Sequence, residues 1–98
     1  MAALPVRVVM VTILIPITHR VYAKGNKTVT AAGATVGEAF KYLHSDFPEM
    51  EGRVMAGETH LAPGMEVAVN GSLLLPFTAD LKVNDGDEIR ISSVITGG

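Results

Sequence analysis

Thr35-Val36-Gly37-Glu38-Ala39-Phe40-Lys41-Tyr42-Leu43-His44-Ser45-Asp46-Phe47-Pro48 decides the fold, because it carries the only long helical period in the chain. Thr35 and Glu38 have the spacing of a capping box. In it the Thr35 hydroxyl accepts from the Glu38 amide while the Glu38 carboxylate reaches back to the Thr35 amide. Val36, Ala39, Phe40, Leu43 and Phe47 recur at three- and four-residue spacing and leave Glu38, Lys41, Tyr42, Ser45 and Asp46 on the other side. The helix is therefore amphipathic, with one face to bury. Pro48 disfavours helical geometry at Phe47 and ends it.

The regular segments on either side of this helix read as strands. Val8 to Ile15 is rich in Val and Ile, which fits a central strand covered on much of both faces, and Pro16 stops it. Lys24-Gly25-Asn26-Lys27 is a turn cluster, and Lys27-Thr28-Val29-Thr30 then alternates as a half-buried strand does. The two form a hairpin whose connection, Ile17 to Gly25, is longer than a tight turn and carries Thr18, His19 and Arg20. Beyond the helix, residues 49–66 show no clear period and include Gly52, Gly57, Pro63 and Gly64, an irregular excursion with a short helical turn expected at Glu51 to Met55. Glu66 to Val69, Asn70-Gly71 and Ser72 to Leu75 read as strand, type I′ turn and return strand. Asp85-Gly86-Asp87 precedes Glu88-Ile89-Arg90-Ile91-Ser92, whose alternation sends Ile89 and Ile91 inward and Glu88, Arg90 and Ser92 outward. The resulting order groups one helix on one face of a mixed four- to five-stranded sheet, an α+β roll. With the last strand entering parallel beside the first, the arrangement is a β-grasp.

Composition narrows the function. The 98 residues make a single domain, 1–98, with 48% hydrophobic and 18% charged residues. A chain of this size buries only about 60–65% of its unfolded surface, which leaves little room for a large enclosed catalytic cleft. Eight Lys and Arg against ten Asp and Glu give a net charge of −2, without the basic excess that nucleic-acid binding needs. The absence of cysteine excludes disulfides, thiolate metal sites and cysteine nucleophiles, and fits a reducing cytoplasm. Val6 to Ile15 is no secretory or spanning segment: it contains Arg7, lacks a small-x-small cleavage site and stops at Pro16, short of the roughly 20 apolar residues a membrane span requires. Residues 1–9 read as a partly ordered extension or as an alternative start.

Side-chain chemistry is sparse. His19, His44 and His60 are scattered without a close ligand pair, so no metal site is expected and all three are assigned to the surface. Asp85, Asp87 and Glu88 lack the spaced ligands of a calcium loop. Glu49, Glu51 and Glu58 sit in a polar loop where carboxylates are ordinarily solvated and ionised. There is no phosphate loop and no nucleophilic serine elbow.

Taken in order and spacing, these pieces resemble a known family, the ubiquitin-like sulfur carriers of the MoaD/ThiS type. The carrying residues are the opening strand, Thr35-Val36-Gly37-Glu38 with Leu43 and Phe47-Pro48, Val67-Ala68-Val69-Asn70-Gly71, Asp85-Gly86-Asp87-Glu88-Ile89 and the terminal Gly97-Gly98. Met10-Val11-Thr12-Ile13-Leu14-Ile15-Pro16, the long excursion and the overall length look more like the CysO-like carriers of cysteine and homocysteine biosynthesis than the shorter molybdopterin synthase small subunits. The resemblance implies that a MoeB/ThiF-like activating enzyme, using ATP and Mg, adenylates the Gly98 carboxylate. A sulfur donor then displaces AMP, and the thiocarboxylate delivers sulfur at a sulfur-accepting synthase. The chain would be a co-substrate and no enzyme, with no cofactor of its own and no nucleic-acid or membrane partner. Three alternatives stay open: a molybdopterin synthase small subunit, a modifier joining Gly98 to lysines by isopeptide bonds, and a subunit whose tail merely docks.

Glycine suits such a tail for a physical reason. Without Cβ, Gly97 and Gly98 can lie in a narrow channel, so that main chain and carboxylate alone reach a partner's site. An α-carboxylate with a pKa of about 3.5 is ionised at neutral pH and a poor electrophile, so it needs activation. A tail is also too small for a specific interface, which buries about 800 Å² per side. The open sheet face is expected to supply the rest through Leu73, Leu75, Phe77, Val94 and Ile95, with Arg90 at the rim. The competing account of the five apolar residues is ordinary core packing.

Overall fold

A computed structural model describes residues 8–94. The strands are β1 (Met10–Leu14), β2 (Thr28–Ala32), β3 (Met65–Val69), β4 (Ser72–Leu73) and β5 (Glu88–Ser93), and the long helix is α1 (Val36–Asp46). They form a five-stranded sheet in the order β2-β1-β5-β3-β4. β1 runs parallel to β5, with Ile13 opposite Ile89, and antiparallel to β2, with Ile13 opposite Val29. β3 is antiparallel to both β5 and β4. This is the β-grasp, with α1 across one face.

Alternation builds the core. Val11, Ile13, Ile15, Ala31, Val67, Ile89 and Ile91 point to one side and are at most 2% exposed, and Val36, Ala39, Phe40 and Leu43 of α1 close over them. Each large side chain removed from water this way contributes roughly 1.5–3 kcal/mol before entropy is counted. The helix comes so close to the end of β2 that a Cβ on Gly33 would fall on the Ala39 backbone nitrogen and within 2.8 Å of the Glu38 carbonyl carbon. The glycine lets the strand meet the helix.

Local chemistry fixes the ends of these elements. The Glu38 amide donates to Thr35 Oγ1 at 3.1 Å, as a capping box requires, but the Glu38 carboxylate accepts from the Ala34 amide at 3.1 Å and not from Thr35. The box closes one residue earlier because Val83 N donates to Ala34 O and Val36 N to Leu81 O, holding residues 34–36 against the 81–83 segment. Asn70 and Gly71 have φ of 50° and 85°, the left-handed pair of a type I′ turn. Asn70 then ties that hairpin to β5: its side-chain amide donates to Asp87 Oδ1 at 2.9 Å, and its oxygen accepts from the Glu88 amide at 2.9 Å.

Four expectations shift. The connection from β1 to β2 contains a 3-10 helix, Ile17–Ala23, with Pro16 at its N-cap. The helical turn placed at Glu51 to Met55 occurs instead as a 3-10 turn at Pro48–Met50, since proline at a first helical position is already set for it. That excursion also sends Met50, Val54, Met55 and Ala62 into the interior, so it closes the core although its sequence has no period. The return strand stops at Leu73 and not at Leu75. Leu74 N still donates to Val67 O at 2.8 Å, but Pro76 has no amide with which to extend the ladder. At the other end, Val9 is part of the fold, accepting from Gly33 N at 3.0 Å, while residues 1–7 of the expected extension lie outside the described residues. Among the described residues, no helix is long and apolar enough to cross a membrane.

Candidate functional site

The last strand lies between two others, paired along one side with β1 and along the other with β3. Whatever follows β5 therefore leaves from the rigid middle of the sheet. At the exit Ser93 sits opposite Met65 and Val94 N donates to Gly64 O at 2.6 Å. Ile95, Gly97 and Gly98 lie outside the described residues.

The sheet face away from α1 presents the alternate residues. The strand registers place Thr28, Leu14, Arg90, Ala68 and Leu73 in one row across all five strands. Leu73 is 52% exposed, Leu75 80% and Val94 39%, and Arg90 is exposed between them and β1. These four are exposed. Phe77 is not. It is half-buried, and its ring stacks on Phe40 of α1 with centroids 6.5 Å apart and planes 12° from parallel, so it belongs to the core on the helix side. The chain crosses from one side of the sheet to the other between Leu75 and Phe77, which alternation along a strand cannot reveal once the strand has ended.

Beside the strand exit, a groove of about 340 Å³ runs between Leu14, Ile15 and Arg20 on one side and Arg90, Ser92 and Ser93 on the other. Arg20 Nε donates to Ile15 O at 3.0 Å, holding that side chain over the end of β1. Ile17 and Val21, four residues apart on the 3-10 helix that follows, are 77% and 71% exposed. Sequence reading missed Arg20, Ile17 and Val21 as surface features of this end. The available signal was an i, i+4 apolar pair in a connection with no strand period to absorb it.

The titratable groups elsewhere do not converge. His19 packs edge-on against Tyr22, centroids 5.9 Å apart, and Arg53 lies 3.8 Å over the same ring. Burial, and then the Arg53 charge, hold His19 below its ordinary pKa. His44 is also half-buried, with Nε2 lacking a hydrogen-bond partner among the described residues. Burial lowers its pKa and Glu51 partly offsets the effect. Both histidines are thus less exposed than expected, because each lies under neighbouring loop residues. His60 is exposed, with Nδ1 2.8 Å from Thr59 Oγ1. Among the described residues no three His, Cys, Asp or Glu side chains gather as a metal site would need. A wider cavity of about 740 Å³ between α1 and the 51–59 loop is ringed by Glu38, Lys41, His44, Glu51, Glu58 and Asp80. Its charged groups are exposed, and one ion pair crosses it, Lys41 to Glu58 at 3.7 Å. Asp87 is engaged in the turn before β5, where the Asn84 amide at 2.8 Å and the Asn70 side chain hold its carboxyl below the usual range.

Residues 13–98 match the model of the ThiS family. A chain of the crystal structure of the Amycolatopsis orientalis BexX/CysO complex is 31% identical, with a TM-score of 0.80 over 90% of this chain and 99% of that one. Mycobacterium tuberculosis CysO is 25% identical, with a TM-score of 0.77 over 87% and 99% of the two chains. The small archaeal modifier protein 1 of Methanosarcina acetivorans, at 17% identity and a TM-score of 0.77 over 94% and 99%, shares the fold. A search of curated proteins gives no match. The family match runs from the opening strand through the glycine pair, and the overall fold matches that of CysO. The chain therefore belongs to the ThiS family, among the MoaD/ThiS-type ubiquitin-like sulfur carriers.

Proposed function

We propose that this chain carries sulfur as a thiocarboxylate on Gly98. The single observation that carries the reading is that the family match continues through Gly97-Gly98, four residues beyond the end of a strand paired on both sides in the sheet. In the first step an oxygen of the Gly98 carboxylate attacks the α-phosphate of ATP at a MoeB/ThiF-like enzyme and pyrophosphate leaves. A sulfide equivalent then attacks the acyl carbon and AMP departs, leaving –COS⁻. A thiocarboxylic acid is more acidic than a thiol, so its sulfur stays anionic near neutral pH without a neighbouring base. The charge stabilisation for both steps falls to the partner, whose ATP and Mg are the only cofactors involved. This chain is then a protein co-substrate.

The likeness to CysO favours delivery into a sulfur-containing amino acid or cofactor, in the cytoplasm where ATP is supplied. The relative from Amycolatopsis orientalis is found in a complex with BexX. By analogy, the open face with Leu73, Leu75, Val94 and Arg90, together with Ile95, docks on the activating enzyme and the synthase in turn, since their tasks require the same tail. Intact mass of the protein purified from its own cell is the direct test. A gain of about 16 Da marks oxygen replaced by sulfur in one carboxylate. Recovery as lysine conjugates, with no thiocarboxylate under any growth condition, would overturn the carrier reading in favour of a modifier.

A further inference from the structure

We infer that Arg20 and Arg90 form a cationic base at the root of the tail and dock on an acidic rim of the activating enzyme. The inference rests on the carrier reading above and goes beyond it by naming the chemistry of the docking surface. The two side chains come from distant parts of the chain and line the same groove beside the end of β1. Arg90 is in register with Leu14, and Arg20 is bonded to the carbonyl of Ile15, the next residue. Both line the groove beside the exit of β5. Among the described residues the one Lys or Arg paired with a carboxylate is Lys41, on the far side of the molecule. Glu66 and Glu88 share the open face with Arg90, yet neither lies within ion-pair distance of a guanidinium.

Two like charges in one groove, with no counter-ion among the described residues, raise the local potential in a chain whose net charge is −2. Guanidinium groups match carboxylates in a fixed fork, which favours an acidic protein surface as the occupant. Only Arg20 Nε is engaged by the Ile15 carbonyl, so its terminal nitrogens remain for such a partner. The arrangement also fixes polarity. Residues 95–98 can span at most about 14 Å, which bounds how far from the arginines a partner can hold the Gly98 carboxylate. An enzyme that takes the carboxylate into a nucleotide site is cationic at that centre. The part of its rim within a tail length of that centre faces the arginines, and carboxylates there would pair with them. Ile17 and Val21, exposed beside Arg20, extend the contact with apolar area.

The test is ATP–pyrophosphate exchange driven by the full chain on the MoeB/ThiF-type enzyme of the same genome, measured across a salt series. Arg90→Glu is expected to lower kcat/KM about tenfold at low salt, the loss shrinking as salt shortens the Debye length, with Arg90→Lys recovering most of it. Arg20→Glu should act in the same direction, and a thermal melt separates it from any cost of the lost bond to Ile15. Exchange by both variants equal to wild type at all salt concentrations overturns the inference and leaves the carrier reading standing. Faster exchange by the variants also overturns it, assigning the pair to the chain's own tail carboxylate. Failure of wild type to support exchange counts against both readings.

Discussion

The two faces of the one sheet use the same strands and opposite chemistry. On β1 and the residue after it the helix side carries Val11, Ile13 and Ile15, all at most 2% exposed, while the open side carries Met10, Thr12 and Leu14, each half-buried. On β5 the contrast is Ile89 and Ile91 against Glu88 and Arg90. Successive side chains of a strand point to opposite faces, so neighbouring positions meet different surroundings. The helix side holds the fold together, and the open side carries the proposed docking surface. Each change below tests how complete that separation is.

Removing a buried ring should have the largest effect. Phe40 is 1% exposed and stacks on Phe77, so Phe40→Ala is expected to cost about 3–5 kcal/mol in denaturant unfolding. In a domain whose total stability is about 5–15 kcal/mol, that is a large share. A sharper comparison comes from adjacent residues. Ile13→Thr places a hydroxyl in the core and should cost about 2–4 kcal/mol, whereas Thr12→Ile on the open side should stay within about 0.5 kcal/mol of wild type. Equal costs for the two would dissolve the distinction between faces. At the helix start, Thr35→Ala removes the acceptor for the Glu38 amide and should cost about 1 kcal/mol by the same measurement.

Acid should loosen the helix side specifically. Burial depresses the folded-state pKa of His44 below its ordinary 6.5, so the unfolded chain binds a proton more readily in that window. The associated stability is complete above 6.5 and is lost as pH falls through the depressed folded value. His19 shifts in the same direction. Melting temperature followed from about pH 8 to about pH 5 should fall, and less steeply in His44→Gln, the residual slope reporting His19. A His44→Gln slope identical to wild type would show that burial of this ring does not couple to folding. The smallest change in stability is expected at Leu73, 52% exposed on the open side: Leu73→Asp should leave unfolding within about 0.5 kcal/mol of wild type. The same substitution should weaken binding to the activating enzyme, read by titration calorimetry. Loss of stability without loss of binding would move Leu73 into the structural set.

Much of this molecule was legible because the features concerned are local. The helix boundaries follow from Thr35, Glu38 and Pro48, the tight hairpin from Asn70-Gly71, and the inward and outward residues of β5 from strict alternation. The glycine pair, within the order of motifs, pointed to the family that the comparison then showed. What remained hidden depends on residues distant in sequence. The excursion at 49–66 has no period because Met50, Val54 and Met55 are buried by contact with the rest of the core and by no repeating geometry of their own. Phe77 left the open face because its segment crosses to the helix side after β4 ends, where a ring on α1 waits to stack on it. The reach of the Glu38 carboxylate to Ala34 was set by the 81–83 segment holding the backbone there. Arg20 and Arg90 are 70 positions apart in the chain, and only the parallel pairing of β1 with β5 brings both to one groove. Sequence alone determined the long helix and the main strands through short-range capping, turn and alternation chemistry. The tertiary structure decided which distant side chains share a surface, because that depends on strand order and register, which no single segment encodes.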